Sequence, residues 1–138
     1  MERSLVLIKP DAMQRGLAGV IIGRLQGEGL KLTALRMLHM DKTLAERHYA
    51  VHKEKPFFKD LVEYITSTPI VAAVFEGEKA VERIRKLMGA TDPAKATPGT
   101  IRKDYGLDLQ RNSTHASDSP ENAEIEIAIF FKKNEIFR

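Results

Sequence analysis

The sequence of 138 residues contains no cysteine and no long hydrophobic run. Without cysteine the chain cannot form a disulfide bond or a thiolate metal site. No apolar stretch approaches the ~18 residues that cross a bilayer, and the first apolar segment, 5–8, is too short for a signal peptide. These absences exclude a disulfide scaffold and a membrane partner, and we expect the protein in the cytoplasm.

The length and composition fit one folded domain. Domains usually have about 100 to 150 residues, and an apolar content of 43% excludes a disordered chain. Lysine and arginine number 22 against 19 aspartates and glutamates, which gives a net charge of +3. This mild basic excess fits a polyphosphate ligand but also many other proteins, so charge alone does not decide the function. We expect a single domain over residues 1–138.

Apolar periodicity and turn residues predict helices and strands in alternation. Strands are predicted at 4–8, 30–40, 70–75 and 112–115. Helices are predicted around 20–25, from 41, from 57 to 67, from 80 to 88 and from 119. A turn is predicted at 9–11, the second strand is expected antiparallel to the first, and 89–111 is predicted as a long irregular loop. This order predicts an α+β domain in which helices cover an antiparallel sheet.

The last apolar segment, 124–131, is open to two interpretations. Its first residues alternate polar and apolar, which is typical of a strand, but its apolar residues also share one helical face. Ser119-Pro120-Glu121 precedes it and has the pattern of an N-cap, a proline at the first helical position and an acidic first turn. We therefore favour a helix, and Glu126 then lies two turns from its start.

The candidate reactive residue is His115, within the polar stretch 111–121. A lone histidine in a polar turn is usually a solvated side chain or a cap, and that interpretation stays open on this residue alone. However, the predicted helix start at Ser119 supplies positive potential and free N–H groups that attract an anion. A neutral imidazole is a good nucleophile toward phosphorus, because its ordinary pKa of about 6.5 leaves it mostly unprotonated at neutral pH.

Four ordered motifs closely resemble those of the nucleoside diphosphate kinase family. They are Lys9-Pro10-Asp11, Pro56-Phe57-Phe58 with Tyr49 ahead of it, Pro98-Gly99-Thr100-Ile101-Arg102, and the Asn-x-x-His-Ala-Ser-Asp pattern of 112–118. The family usually has glycine where this chain has Ala116. The resemblance covers essentially the whole chain and implies a ferredoxin-like βαββαβ core. It also implies transfer of a phosphoryl group between nucleotides through a phosphohistidine, with Mg²⁺ held mostly by the nucleotide.

The same resemblance implies how the nucleotide is held. Lys9 and Asn112 are implied to contact the sugar hydroxyls, with Lys9 also near the terminal phosphate. Phe57 is implied to stack on the base between the apolar walls Leu61 and Leu109, which would accept any nucleobase because every base has a π face. A homo-oligomer is implied as well, a hexamer first and a tetramer next.

Phosphate-binding and catalytic roles are implied for a further set of residues. Ser117 and Glu126 are implied to hold His115 through hydrogen bonds, and Lys9 and Tyr49 are implied to be catalytic. The residues implied around the phosphates are Tyr49, Arg85, Thr91 and Arg102. Arginine suits phosphate oxygens because its guanidinium group donates in a planar fork. No protein metal site is expected.

Alternative functions and roles remain open at this point. Ferredoxin-like sheets often bind RNA, but the predicted strands lack the paired aromatic residues that RNA-recognition modules use for stacking. A catalytically silent interaction protein would not need His115, Lys9 and Arg102 together. For single residues, Phe57 and Phe58 could instead pack in the core, and Arg85 could be an ordinary solvated arginine. We expect nucleoside di- and triphosphates as partners and no specific nucleic acid.

Overall fold

Four strands form one antiparallel sheet in the computed structural model, which describes residues 1–137. They are β1 (Glu2–Ile8), β2 (Lys31–Leu38), β3 (Ile70–Gly77) and β4 (Thr114–Ala116). The strand order is β2-β3-β1-β4. β1 lies inside the sheet, between β3 and β4. Leu7 of β1 lies opposite His115 of β4. This is the ferredoxin-like order, which confirms the expected fold.

Seven α-helices connect these strands within residues 1–137. They are α1 (Pro10–Gln14), α2 (Ala18–Gly27), α3 (Lys42–His48), α4 (Phe58–Ile65), α5 (Ala80–Met88), α6 (Ile101–Tyr105) and α7 (Pro120–Phe130). The interpretation of 124–131 as helical is confirmed. Ser119 caps α7 by accepting a hydrogen bond from the backbone N–H of Asn122 at 3.1 Å, and Pro120 stands at the first helical position.

Apolar side chains are buried on both faces of the sheet. On one face, Leu5 and Leu7 pack with Val74 against α3, α4 and α7. On the other face, Val6 and Ile8 pack against α2, α5 and α6. Successive side chains of a strand point to opposite faces, so a central strand covered on both faces is a continuous apolar run. This explains why 70–75 gave the clearest strand pattern in the sequence.

Three local predictions were wrong. The turn expected at 9–11 is the start of α1, because proline at the first helical position needs no N–H partner. The loop expected at 89–111 contains a 3₁₀ turn at Pro93–Lys95 and then α6. β2 does not run antiparallel to β1: it pairs antiparallel with β3, which pairs antiparallel with β1, so β1 and β2 run in the same direction. The helical crossover through α2 permits this arrangement.

Candidate active site

A cleft of about 880 Å³ lies beside β4. Its walls come from α3, α4, α5, β4, α7 and the segment between α6 and β4. The predicted site residues that line it are Lys9, Tyr49, Phe57, Leu61, Arg85, Thr91, Arg102, Leu109, Asn112, His115 and Glu126. Ser117 is fully buried, and it reaches the cleft through Glu126. The structure thus brings together residues that the sequence spreads over most of its length.

His115 projects from β4 on the face of the sheet that α3 and α7 cover. It lies opposite Leu7, and residues directly opposite one another in a sheet share a face. Its Nε2 atom lies 3.1 Å from Oε2 of Glu126. Glu126 is in turn held by Ser117, whose Oγ donates a hydrogen bond to Oε1 at 2.6 Å and accepts one from the backbone N–H of Leu5 at 3.1 Å.

The hydrogen bonds to Glu126 fix the tautomer of His115. Burial opposes ionisation of Glu126, but the hydrogen bonds from His115 and Ser117 outweigh it and lower the pKa of this carboxyl. An ionised carboxylate only accepts hydrogen bonds, so Nε2 of His115 carries the proton. The lone pair of the neutral ring then resides on Nδ1, and Nδ1 is the atom available as a nucleophile.

Lys9, Asn112 and Thr91 form a connected chain of hydrogen bonds. The Lys9 ammonium group donates to Oδ1 of Asn112 at 2.9 Å, and the Asn112 amide donates to the backbone carbonyl of Thr91 at 2.9 Å. Burial, with Arg102 adding to it, lowers the pKa of Lys9 to about 8. Lys9 is therefore cationic at neutral pH and loses its charge under mildly alkaline conditions. The two residues predicted to contact the sugar lie in direct contact.

Arg102 is buried and braces the strand that carries His115. Its guanidinium group donates to the backbone carbonyls of Gly89 and Thr114, each at 3.0 Å. Gly89 has φ +86°, and a Cβ there would lie 2.6 Å from Oγ1 of Thr100, so glycine allows the end of α5 to approach α6. Burial, and then the charge of Arg85, lowers the pKa of Arg102 to about 10. Arg85 itself is exposed on α5 and lines the cleft.

The mouth of the cleft is apolar. Phe57 and Leu109 remain 46% and 63% exposed although they are large apolar side chains, and Leu61 is half-buried between them and the core. The neighbouring Phe58 packs against the core instead. The core role considered for this phenylalanine pair is thus correct for Phe58, whereas Phe57 faces the cleft.

His48 is a cleft residue to which the sequence assigned no role. Its ring centroid lies 4.9 Å from that of His115, with the two rings nearly perpendicular. Burial, followed by the charge of His115, lowers the pKa of His48 to about 3, so its ring stays neutral near physiological pH. Burial, followed by Glu126, also keeps the adjacent Tyr49 protonated by raising its pKa. The signal in the sequence that could have pointed to His48 is the helical spacing that places it at the end of α3.

The part of the chain that the structure describes has neither a metal-binding cluster nor a membrane-spanning helix. Within 1–137, no group of three or more histidine, aspartate or glutamate side chains is arranged to hold a metal ion. No helix of this part of the chain is long and apolar enough to cross a membrane. The cleft therefore presents cations and hydroxyls to a ligand, and the carboxylates on the solvent side of its wall are Asp60, Asp108 and Asp118.

Comparison with known proteins identifies one family over nearly the whole chain. A sequence model described as nucleoside diphosphate kinase matches residues 2–136. The nucleoside diphosphate kinase of Dehalococcoides mccartyi is 61% identical over 136 residues, which are 99% of this chain and 96% of that protein. That of Archaeoglobus fulgidus is 58% identical over 99% of this chain and 90% of its own length.

Solved structures show the same likeness. The crystal structure of the Aquifex aeolicus nucleoside diphosphate kinase matches with a TM-score of 0.96 at 46% identity and covers 98% of both chains. A halophilic nucleoside diphosphate kinase from Halobacterium salinarum, solved in complex with CDP, matches with a TM-score of 0.96 at 49% identity, over 99% of this chain and 91% of that one. This chain belongs to the nucleoside diphosphate kinase family.

Proposed function

We propose that this chain transfers the γ-phosphoryl group of a nucleoside triphosphate to a nucleoside diphosphate through phospho-His115. The observation that carries the proposal is the hydrogen bond between Nε2 of His115 and Glu126, which leaves the lone pair on Nδ1. In the first half-reaction the Nδ1–P bond forms while the bond from phosphorus to the β–γ bridging oxygen breaks, and the nucleoside diphosphate leaves. A second nucleoside diphosphate then takes the phosphoryl group by the reverse step.

Glu126 supports this step electrostatically. As the Nδ1–P bond forms, positive charge develops on the imidazole ring, and the ionised carboxylate 3.1 Å from Nε2 stabilises it. Ser117 keeps the carboxylate in place through Oε1. Ser117 therefore acts on His115 through Glu126, which refines the direct hydrogen bond implied by the resemblance.

The remaining predicted residues are proposed to bind the nucleotide. Lys9 and Asn112 contact the sugar, and Lys9 also contacts the terminal phosphate. The base stacks on Phe57, since an aromatic face kept partly exposed at a cleft mouth suits any nucleobase. The apolar walls beside the base are Leu61 and Leu109. The residues proposed around the phosphates are Tyr49, Arg85, Thr91 and Arg102. The CDP complex of the Halobacterium relative supports a nucleotide in this cleft.

Mg²⁺ is proposed to enter with the nucleotide. The cleft residues fit an ion that the nucleotide carries. Lys9, Arg85 and Arg102 offer cations to the phosphates, and within residues 1–137 no three histidine, aspartate or glutamate side chains are arranged to hold the ion themselves. A bound Mg²⁺ neutralises charge on the phosphate oxygens. Lys9, Arg85 and Arg102 bind the oxygens that remain free and orient the phosphoryl group toward His115.

Self-association is proposed through the outer edge of β2. Within the described residues β2 pairs as a strand only with β3, and the N–H of Phe137 bonds to the carbonyl of Thr33, so the rest of this edge offers backbone donors and acceptors. Leu35 and Met37 on this strand are exposed apolar side chains. These features support a homo-oligomer, and the preference for a hexamer before a tetramer rests on the family resemblance alone. The cytoplasmic location stays a prediction that cell fractionation tests.

The RNA-binding alternative loses its main support in this structure. RNA-recognition modules stack bases on an open sheet face. Here both faces of the sheet are covered by helices and their apolar side chains. A nucleotide in the cleft beside β4 therefore fits better than a nucleic acid on the sheet.

Labelling with γ-³²P-ATP and Mg²⁺ tests the proposal. The parent protein should acquire an acid-labile, base-stable phosphoryl group, and ADP should discharge it. His115→Ala should abolish labelling, while His39→Ala, which removes an exposed histidine outside the cleft, should label like the parent. Label found only on serine, or retained after His115→Ala, would contradict the mechanism.

A further inference from the structure

The residue two positions before His115 has an unusual backbone conformation. Ser113 has φ +73°, in the left-handed region that residues other than glycine rarely adopt. The turn is closed by a hydrogen bond from the N–H of Thr114 to the carbonyl of Asn112 at 3.0 Å. Ser113 thus joins Asn112, which binds Lys9, to the strand that presents His115.

Nothing in the side chain of Ser113 favours this conformation. Asparagine and aspartate tolerate the left-handed region because they bond to the local backbone, but Oγ of Ser113 is buried and has no hydrogen-bond partner among the described residues. A residue in such a conformation persists when its surroundings hold it there. The neighbours of its backbone groups must therefore supply the constraint.

Asp11 provides that constraint. Its carboxylate is buried, and Oδ2 accepts a hydrogen bond from the N–H of Ser113 at 3.0 Å. The carbonyl of Ser113 accepts a hydrogen bond from the N–H of Lys9 at 2.9 Å. Both polar backbone groups of Ser113 are thus fixed by the segment between β1 and α1.

Tyr64 in turn fixes Asp11. Its hydroxyl donates to Oδ1 of Asp11 at 2.5 Å and accepts from the N–H of Asp11 at 2.9 Å. Burial, with Asp11 adding to it, raises the pKa of Tyr64, so the phenol remains a donor. With both carboxylate oxygens engaged, the side chain of Asp11 has one orientation, and this orientation points Oδ2 at Ser113.

We propose that Asp11, held by Tyr64, is a positioning residue for phosphoryl transfer: it keeps Ser113 in the left-handed turn and so sets His115 relative to Lys9 and Asn112. The inference rests on the proposed function. Without the carboxylate the turn relaxes toward negative φ, and His115 shifts relative to a phosphate bound by Lys9. Misplacement of reacting atoms by about 1 Å costs about 100-fold in rate.

The key experiment combines Asp11→Ala with Ser113→Gly. Asp11→Ala should lower the single-turnover rate of His115 phosphorylation at saturating ATP by at least about tenfold, with a smaller change in the Kd of ADP. Glycine adopts positive φ without strain, so Ser113→Gly in the Asp11→Ala background should restore most of this rate. Ser113→Gly alone should react like the parent.

Tyr64→Phe, which removes only one hydroxyl group, should lower the rate several-fold and serves if Asp11→Ala does not fold.

A stability control separates positioning from folding. Thr33→Val removes a buried hydroxyl group that bonds to Val74 at the opposite edge of the sheet. It should lower the melting temperature and leave the rate of phosphorylation unchanged when all rates are measured well below the lowest melting temperature.

Two results overturn the inference. One is an unchanged rate in Asp11→Ala or Tyr64→Phe while the parent is labelled normally, and the other is a double variant no faster than Asp11→Ala. If the parent itself acquires no label on His115, the proposed function fails and the inference with it. The parent measurement therefore distinguishes the two failures.

Discussion

At the β4 edge of the sheet many buried side chains are polar, whereas at the β2 edge the buried polar side chain among the described residues is Thr33. The buried polar residues around β4 are Lys9, Asp11, His48, Arg102, Asn112, Ser113, Thr114 and Ser117. Burial of a polar group destabilises a fold unless the group is hydrogen-bonded. At this edge the bonds join the segment after β1, α4, α6 and α7 to the stretch around His115.

The two edges of the sheet should therefore differ in how substitution affects them. Most polar groups near β4 orient another group through a hydrogen bond, so a substitution there should alter activity more than stability. At the β2 edge, by contrast, Leu35 and Met37 are exposed and orient nothing in the cleft. A substitution there should alter association and leave the chemistry unchanged. Substitutions at the two edges test this contrast, and those near β4 should have the greater effect on activity.

Among substitutions that leave His115 in place, Arg102→Lys should produce the largest loss of activity. A lysine ammonium group cannot reproduce the fork that donates to Gly89 and Thr114 while also binding a phosphate. Loss of a preorganised donor to a reacting group costs about 100-fold to 1,000-fold, so we expect kcat/KM to fall within this range.

Steady-state kinetics with ATP and several nucleoside diphosphates measures this effect. The matched control is Arg15→Lys, because Arg15 also donates to a backbone carbonyl, that of Tyr105, but lies outside the cleft. The control should retain parental kinetics. A value of kcat/KM for Arg102→Lys close to that of the control would show that Arg102 only fills space near β4.

At the opposite edge, Leu35→Glu combined with Met37→Glu should disrupt self-association. Two charges placed on a strand edge repel a second copy and remove apolar area, which weakens association by about tenfold or more. Light scattering over a range of protein concentrations measures the change, and activity per chain should persist. Val20→Glu, another exposed apolar position, is the control. An unchanged mass for the double variant would show that β2 is not the contact.

The sequence predicted the elements well where the patterns were local. The N-cap at Ser119 and the apolar run of β3 depend on neighbouring residues, and both are confirmed. The direction of β2 was wrong because strand pairing depends on which strand lies between β1 and β2, and this is not encoded in either strand alone.

The residues of the candidate site were predicted from sequence motifs. The contacts between residues of different motifs were not predicted. Lys9 and Asn112 were both assigned to the sugar, but their mutual hydrogen bond across 103 positions was not foreseen. The left-handed turn at Ser113 was missed because serine carries no signal for positive φ. His48 was missed because its role depends on burial against His115, which only the packing of α3 on α7 and β4 creates.

The buried His48 should make stability fall in acid. Its pKa is about 3 in the folded protein and 6.5 in the reference state, so between these values the unfolded chain binds a proton that the folded chain does not. Stability is therefore retained above pH 6.5 and lost as pH falls below it. From pH 7.5 to pH 5 this group alone should remove about 1 to 2 kcal/mol from the free energy of unfolding.

Urea unfolding at several pH values tests this dependence. Glutamine does not titrate in this range, so the free energy of unfolding of His48→Gln should depend less on pH than that of the parent. Poorer packing of glutamine would lower its stability equally at every pH. His39→Gln removes an exposed histidine instead and is the matched control for the loss of one imidazole. If the free energies of unfolding of the parent and His48→Gln fall in parallel with pH, His48 is not the group that destabilises the protein in acid.

The smallest effect is expected at Ala116, where the family usually has glycine. A glycine required for positive φ would make alanine strained, but Ala116 is not among the positive-φ residues: it is in β4, opposite Val6, with its methyl group buried in the core on the α5 side. Ala116→Gly should therefore leave turnover nearly unchanged and destabilise the protein by about 1 kcal/mol, through lost burial and added backbone freedom. Ala73→Gly, a buried alanine in β3 on the same side of the sheet, should show a similar loss of stability. If Ala116→Gly instead melts higher and turns over faster than the parent, the strand beside His115 is strained by its methyl group.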